Sequence, residues 1–271
     1  MVRGVSLERS WLARTALTLA CALLVTALAP GWAQAIGEDG EIDVRVVRYD
    51  GGNHRPREPA PRRLAWELRK RTSIDARLEP SEVRLDDPSI FATPFLYWTG
   101  DVAFPPMSEA EIVGLRRFVT LGGMVLVDDA SASRDAAGGF LGSVRRELGR
   151  ALPSDPIAPL PSTHTIFRSF YLIDRPEGRV AGPDHLDAIV IDDRAAVVLS
   201  GHDLGGAWAR DVYGNWTYPV EPGGDLQRER AIRLGVNVVL YALCLDYKDD
   251  QVHAPFIMRR RSGGRAPDVD E

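Results

Sequence analysis

Four short segments hold most of the side chains that could do chemistry: Asp50-Gly51-Gly52-Asn53-His54, Thr99-Gly100-Asp101, Asp128-Asp129 and Ser200-Gly201-His202-Asp203. Each carries an acid, and two carry a histidine. Carboxylate and imidazole donors suit divalent cations. Asp128, Asp129, His164, His202 and Asp203 are therefore candidate metal ligands, with Asp128, His164 and His202 as the narrower set. A carboxylate pair beside a histidine also suits acid-base catalysis when burial separates the pKa values, which makes Asp128, Asp129, His202 and Asp203 the catalytic candidates. Gly51 and Gly52 could turn backbone N–H groups toward an anion. With Asp101 and Trp208 they form the candidate ligand-binding set.

Plainer roles compete with these. An Asp at the end of a strand often closes a turn or caps a helix. No H-E-x-x-H, C-x-x-C, G-x-G-x-x-G or Walker pattern fixes a ligand spacing, and no cofactor is indicated. No G-x-S-x-G elbow is present, and Ser131 and Ser133 sit in a loop of small residues. Cys244 follows Leu240 by one helical turn and is expected to be a small buried hydrophobe. Trp208, Tyr213, Trp216 and Tyr218 crowd Ala207 to Pro219; they could hold a ligand or partner, but a lid packed over the sheet end, its indole N–H bonded to backbone, is the favoured reading.

These segments need a scaffold that brings them together. Ile42 to Tyr49 reads as a first strand, and Pro61 opens a helix with Leu64, Ala65 and Leu68 on one face. A short strand is expected near Glu82 to Leu85. Phe95-Leu96-Tyr97-Trp98-Thr99 is a continuous apolar run, suited to a central strand covered on both sides. Ser108-Glu109-Ala110-Glu111 is a capping box, followed by Ile112, Leu115, Phe118 and Val119 at helical spacing and by Gly122-Gly123 as a stop. Met124 to Val127 is another buried strand, and Phe140, Val144 and Leu148 stripe the next helix. Alternation of this kind marks an α/β fold: a three-layer α/β/α sandwich around a mainly parallel sheet.

Prolines at 153, 156, 159 and 161 then force an extended stretch, after which Ile166-Phe167 and Phe170-Tyr171-Leu172 should pack down. Ala188 to Ile191 and Ala195 to Ser200 flank Asp192-Asp193-Arg194 as an antiparallel hairpin, so the sheet should be mixed. A helix from about Leu226 to Leu245 closes the fold, with Ile232, Val236, Val239, Leu240 and Leu243 facing the core. In open α/β sheets ligands bind beyond the carboxyl ends of the strands. The four segments stand at such ends and should share one rim.

The 271 residues are 45% hydrophobic and 26% charged, an ordinary globular composition. A net charge of -5 offers no field to collect phosphate backbones, so nucleic acid is not an expected partner. Arg3, Arg9 and Arg14 precede an apolar run, Ala16 to Ala29, and then Ala33-Gln34-Ala35. This reads as a secretory signal over 1–35, cleaved after Ala35, which would leave the protein outside the cytoplasm with no transmembrane span; the alternative is an uncleaved anchor helix, for which the apolar run is short. One domain over 36–250 and a solvated tail over 251–271 complete the expected organisation. Cys244 would then be the sole cysteine, which excludes an internal disulfide.

YDGGN (49–53), LYWTGD (96–101), LGGMVLVDD (121–129), HTIFRSFY (164–171), HDLGGAW (202–208) and GVNVVLYAL (235–243) together resemble the bacterial family catalogued as domain of unknown function 4159. The resemblance implies a flavodoxin-like sandwich of the class I glutamine amidotransferase type, in proteins often exported or attached to membranes. It also implies genomic neighbours with von Willebrand factor A domains or AAA-type ATPases, hence an envelope assembly. Relatives among the amidotransferases carry a cysteine at a strand-to-helix elbow where this chain has Asp128-Asp129-Ala130. Asn53-His54 stands where the family has an acid and a tryptophan, and Asp101 where a histidine is common. Two functions are expected: a non-catalytic binding or assembly module with an envelope protein partner, or a hydrolase acting on a small polar or carbohydrate-like ligand at the rim, with or without a metal.

Overall fold

Seven strands pair in the order β2-β1-β3-β4-β7-β6-β5. Their bounds are β1 Arg45–Val47, β2 Glu82–Val83, β3 Phe95–Gly100, β4 Met124–Asp129, β5 Ala158–Pro159, β6 Asp187–Ile191 and β7 Arg194–Ser200. β2, β1, β3, β4 and β7 run parallel, and β6 and β5 continue the sheet antiparallel. The computed structural model describes residues 41–131 and 138–262, all within the unit Asp39–Glu271. The expected signal segment and Ser133 lie outside the described residues.

The central strands carry the reason for this architecture in their sequence. All six residues of β3 and all six of β4 are buried. Because side chains alternate across a strand, Phe95 and Tyr97 enter one core while Leu96 and Trp98 enter the other. The first core is covered by helices α1 (Ala60–Arg71), α4 (Leu204–Trp208) and α5 (Gly224–Ser262), and the second by α2 (Glu109–Thr120) and α3 (Gly139–Ala151). A strand buried on both faces is expected to be largely apolar, as Phe95 to Trp98 and Met124 to Val127 are; the polar residues Thr99, Asp128 and Asp129 come at the carboxyl ends. The fold is thus the α/β class with the mainly parallel, mixed sheet expected from the pattern.

Local signals act where their chemistry requires. Ser108 Oγ accepts from the Glu111 backbone N–H while Glu111 reaches back to the Ser108 N–H, closing the capping box at the start of α2. Asp192 and Asp193, with φ of 50° and 61°, turn the chain between β6 and β7; two successive left-handed residues match the twist of a tight hairpin. Phe140, Val144 and Leu148 are buried on α3.

Elsewhere the structure departs from the expected pattern. The β1 ladder spans only Arg45–Val47, because β2 offers two residues for pairing and Ile42 makes a separate bridge to Ala76. Ile166 and Phe167 are buried, but Phe170 and Leu172 face solvent. The reason is Asn237 on α5: its Oδ1 accepts from Tyr171 N–H at 2.8 Å, and its Nδ2 donates to the Ile166 and Tyr171 carbonyls at 3.0 and 2.8 Å. That clamp draws the Tyr171 backbone to the helix and leaves the flanking side chains outside. Cys244 is exposed rather than buried. The closing helix runs past Leu245 to Ser262, through the first part of the stretch read as a tail. No helix among the described residues is long and apolar enough to cross a membrane.

Candidate functional site

Strand register builds the rim. Thr99 pairs with Asp128, Gly100 with Asp129, and Asp128 with Ser200. Since β7 runs parallel to β4, the HDLGG segment leaves the sheet on the same side as the paired aspartates.

Around Asp128 and Asp203 the rim is closed rather than open. Asp128 is fully buried. Its Oδ1 accepts from Leu204 N–H at 2.8 Å, and its Oδ2 accepts from Gly205 N–H at 2.7 Å and from the Tyr97 hydroxyl at 2.7 Å. Asp203, also fully buried, caps the same five-residue helix: its Oδ1 accepts from Gly206 N–H at 2.9 Å. Its backbone holds φ +52°, a left-handed conformation that Asp tolerates better than most residues. Arg57 grips Asp203 with Nε on Oδ1 at 3.0 Å and Nη2 on Oδ2 at 2.7 Å, and Arg179 Nε donates to Oδ2 as well. The first three amides of α4, groups that a helix leaves without internal partners, are thus all taken by carboxylates of this chain. The glycines of HDLGG follow from the close fit, since a Cβ on Gly205 would stand 2.6 Å from the Tyr97 hydroxyl and one on Gly206 2.5 Å from Asp203 Oδ2.

The electrostatics differ between the two acids. Asp203 has two guanidinium partners. Asp128 is bonded only to neutral donors, and burial together with the charge of Asp203 pushes it up to about 7. Burial and the Asp128 charge also raise the Tyr97 phenol well above its ordinary value.

His202 is buried, with Nε2 2.8 Å from the Pro183 carbonyl and Nδ1 3.3 Å from Ser200 Oγ. A carbonyl can only accept, so Nε2 carries the proton and Nδ1 accepts from the serine hydroxyl. Burial lowers its pKa and favours this neutral ring. The chain from Gly178 to Pro183 wraps the imidazole: Val180 N–H donates to the His202 carbonyl at 3.2 Å and Arg179 N–H to that of Asp203 at 3.2 Å. A Cβ on Gly178 would lie 2.2 Å from the His202 carbonyl oxygen. His202 acts as a peg for this segment.

The narrower metal set does not assemble. His164 caps a single turn through Nδ1 and the Ile166 N–H, and its ring meets Tyr241 at 5.3 Å. The Tyr241 hydroxyl accepts from Ala195 N–H at the start of β7, the end of the strand remote from Ser200. His164 therefore lies away from Asp128 and His202. Among the described residues, no group of three or more His, Cys, Asp or Glu could hold a metal ion.

The ligand-binding candidates are likewise occupied by packing. Trp208 is core: its indole N–H donates to the Ala231 carbonyl at 2.9 Å, and a Cβ on Gly235 would meet its ring at 2.6 Å. Gly51, at φ +74°, backs onto Pro105, and Gly52 onto the Tyr49 ring. Asp101 Oδ2 accepts from Asn53 Nδ2 at 3.1 Å, tying the first strand exit to the second. Asp129 differs from these. Its Oδ1 accepts from Ser131 N–H at 2.9 Å, burial raises its pKa, and it lines a cavity of about 780 Å³ with Ser131, Arg145, His185 and Asp187.

A family model described as domain of unknown function (DUF4159) matches residues 43–243. The chain belongs to this family. No curated protein matches it. The matched span of the DUF4159 domain covers every element from β1 to the core-facing part of α5, and with them the whole of the rim.

Sequence reasoning missed the partners of the acids. Arg57 lies just beyond the YDGGN segment and Arg179 in a loop 24 residues before Asp203, with no local spacing to mark either. Tyr97 was visible only as an apolar strand residue. The β3–β4 ladder pairs Tyr97 with Leu126, two residues before Asp128 on the same face, and that diagonal was the available signal.

Proposed function

We propose that this DUF4159 domain is a non-catalytic binding or assembly module of the bacterial envelope, exported by the leader over 1–35. The scaffold we assign is amidotransferase-like, with Asp128-Asp129-Ala130 at the strand exit where a nucleophilic cysteine would stand. One observation carries the reading: the buried carboxylates that a catalytic centre would need are saturated by the chain's own amides, arginines and tyrosine. Such an acid pair locks α4 to the sheet.

The test is thermal unfolding of Asp128→Ala and His202→Ala together with elemental analysis of the wild-type protein. Loss of stability in both variants and no stoichiometric metal in the wild type support the module. Variants that stay as stable as the wild type while metal or ligand binding disappears would overturn it. Amino-terminal sequencing of protein from an envelope fraction checks the leader, with a start after Ala35 expected and an intact Met1 contrary to it.

Asp129 favours the second reading, a hydrolase acting on a small polar or carbohydrate-like ligand, because it combines a raised pKa with an open cavity. Asp129→Asn separates the two. An unchanged response to candidate ligands argues for the module, and loss of turnover with an intact fold argues for the hydrolase.

A further inference from the structure

A second cavity, of about 1120 Å³, lies beside α1 and is lined by Arg57, Arg63, Trp66, Arg210 and Thr217 among others. Its wall carries both signs of charge, with arginine in excess. Trp216 stands among three guanidinium groups: Arg210 lies 3.7 Å from its ring centroid, Arg228 4.3 Å and Arg63 5.6 Å. Arg63 also stacks on Trp66 at 3.9 Å. Cations gather on indole faces because the ring's π-cloud is negative. One ring does not neutralise three charges.

The nearby acids fall short of the cations. Arg63 and Arg71 share Glu67, and Arg71 and Arg233 share Glu229. Arg228 gives its terminal nitrogens to the Ala207 and Tyr218 carbonyls, each at 2.7 Å, and meets no carboxylate directly; Asp225 acts on it only through space. Arg210 has neither a hydrogen bond nor an ion pair among the described residues, and its Nε is buried without a partner. Asp211, next to it, spends its carboxylate on Tyr213, Asn215 and their turn. The cavity wall itself sets Arg55, Arg57, Arg62, Arg63 and Arg210 against Glu58, Glu79, Glu82 and Asp211. Glu58 and Glu82 pair with Arg55, Glu79 with Arg62, Asp203 with Arg57 and Glu67 with Arg63, which leaves Arg210 as the lining guanidinium without an acid among the described residues. Burial lowers the pKa of Arg63 and of Arg228, and the charge of Arg210 adds to both effects.

A planar guanidinium left unpaired in a cavity wall is preorganised for a carboxylate or phosphate, which it meets through two parallel N–H bonds. We propose that the cleft between α1 and the 209–217 segment is a binding site for an oxyanion group, phosphate or carboxylate, borne by a small molecule, with Arg210 as its anchor and Arg63 as its neighbour. The volume exceeds what a lone inorganic ion fills and is slightly above the roughly 300–1,000 Å³ of small-molecule pockets, so it has room for a ligand that carries the oxyanion. The cavity shares Arg57 with the acid rim, where that guanidinium is committed to Asp203, but Arg210 makes no ion pair with the rim acids, so the proposal does not depend on whether the rim is inert.

The test is thermal shift and tryptophan fluorescence of the full chain, titrated at constant ionic strength with inorganic phosphate, with glucuronate, or with chloride as reference. Phosphate or glucuronate should raise the Tm and change the fluorescence where chloride does neither, and whichever acts identifies the oxyanion. Arg210→Met keeps a side chain on Trp216 but removes the charge. It should weaken the response about tenfold or more, the loss expected for one charge-assisted pair, while keeping the wild-type Tm in chloride. Arg69→Met, which removes an exposed arginine elsewhere on α1, should respond as the wild type does. No response to either oxyanion in the wild type, or equal responses in wild type and Arg210→Met, would overturn the proposal.

Discussion

The acid rim and the arginine cleft are two charged regions of one domain, and they treat their charges in opposite ways. At the rim, Asp128 and Asp203 are buried and every contact is internal: three helix amides, one phenol and two guanidinium groups. In the cleft, Arg210 is left unpaired beside two further arginines that already share an indole. The difference separates charge used for stability from charge held in reserve. A buried charge that is fully bonded holds the fold together, and removing one partner strands the others. An uncompensated charge in a cavity wall contributes little to folding and is retained at some cost, as groups kept for binding are. By this criterion Asp128 and Asp203, which look chemical in the sequence, serve the fold, and Arg210, which looks ordinary, is the candidate for recognition.

Mutations should divide along the same line. Asp203→Ala strands Arg57 and Arg179 in a partly buried site and should cost about 3–5 kcal/mol in urea unfolding. Asp128→Ala leaves the Leu204 and Gly205 amides and the Tyr97 hydroxyl without their acceptor and should cost about 2–4 kcal/mol, equivalent to a fall of several degrees in Tm. Asp128→Asn, which keeps one acceptor oxygen, should cost less. An Asp203→Ala protein as stable as the wild type would show that the rim is not a lock.

The pH dependence gives a third check. Asp128 has a folded pKa of about 7 against an ordinary 3.8, so between these values the folded state binds more protons than the unfolded state. The contribution of this carboxyl is therefore fully present below about pH 4 and is lost as the pH rises through 7. His202, whose pKa is lowered by burial, works the other way and favours folding as the pH rises toward 6.5. Subtracting the Asp128→Asn profile from that of the wild type isolates the first effect. The wild type should lose stability relative to the variant from pH 4 to 7, and parallel profiles would remove the assignment. The smallest effect belongs to the cleft: Arg210→Met in chloride should change stability by no more than about 0.5 kcal/mol.

The sequence displays the scaffold well because the scaffold is made of local signals. Phe95 to Thr99 and Met124 to Val127 are apolar on both faces, Ser108 and Glu111 close a capping box, and two aspartates turn the hairpin. Each feature can be read within a few residues. That the four polar segments share a rim followed from strand direction, and the parallel pairing of β4 with β7 supports it. What those segments do there depended on distant partners. Arg57 meets Asp203 across 146 residues, and all but two of the chain's 33 basic side chains are arginine, so no single arginine stands out. The core role of Trp208 was foreseen among the aromatic alternatives. The exposure of Phe170 and Leu172 was not, because it depends on an asparagine in a helix 66 residues from Tyr171.

Native-state hydrogen exchange at Leu204 and Gly205 probes the lock at the atoms that form it. If Asp128 is committed to those two amides, they should exchange only through global unfolding, and in Asp128→Asn they should exchange much faster while core amides of β4 do not. Rapid exchange of both amides in the intact wild-type protein would mean that the carboxylate is free for other chemistry, and the rim would have to be treated as a working site.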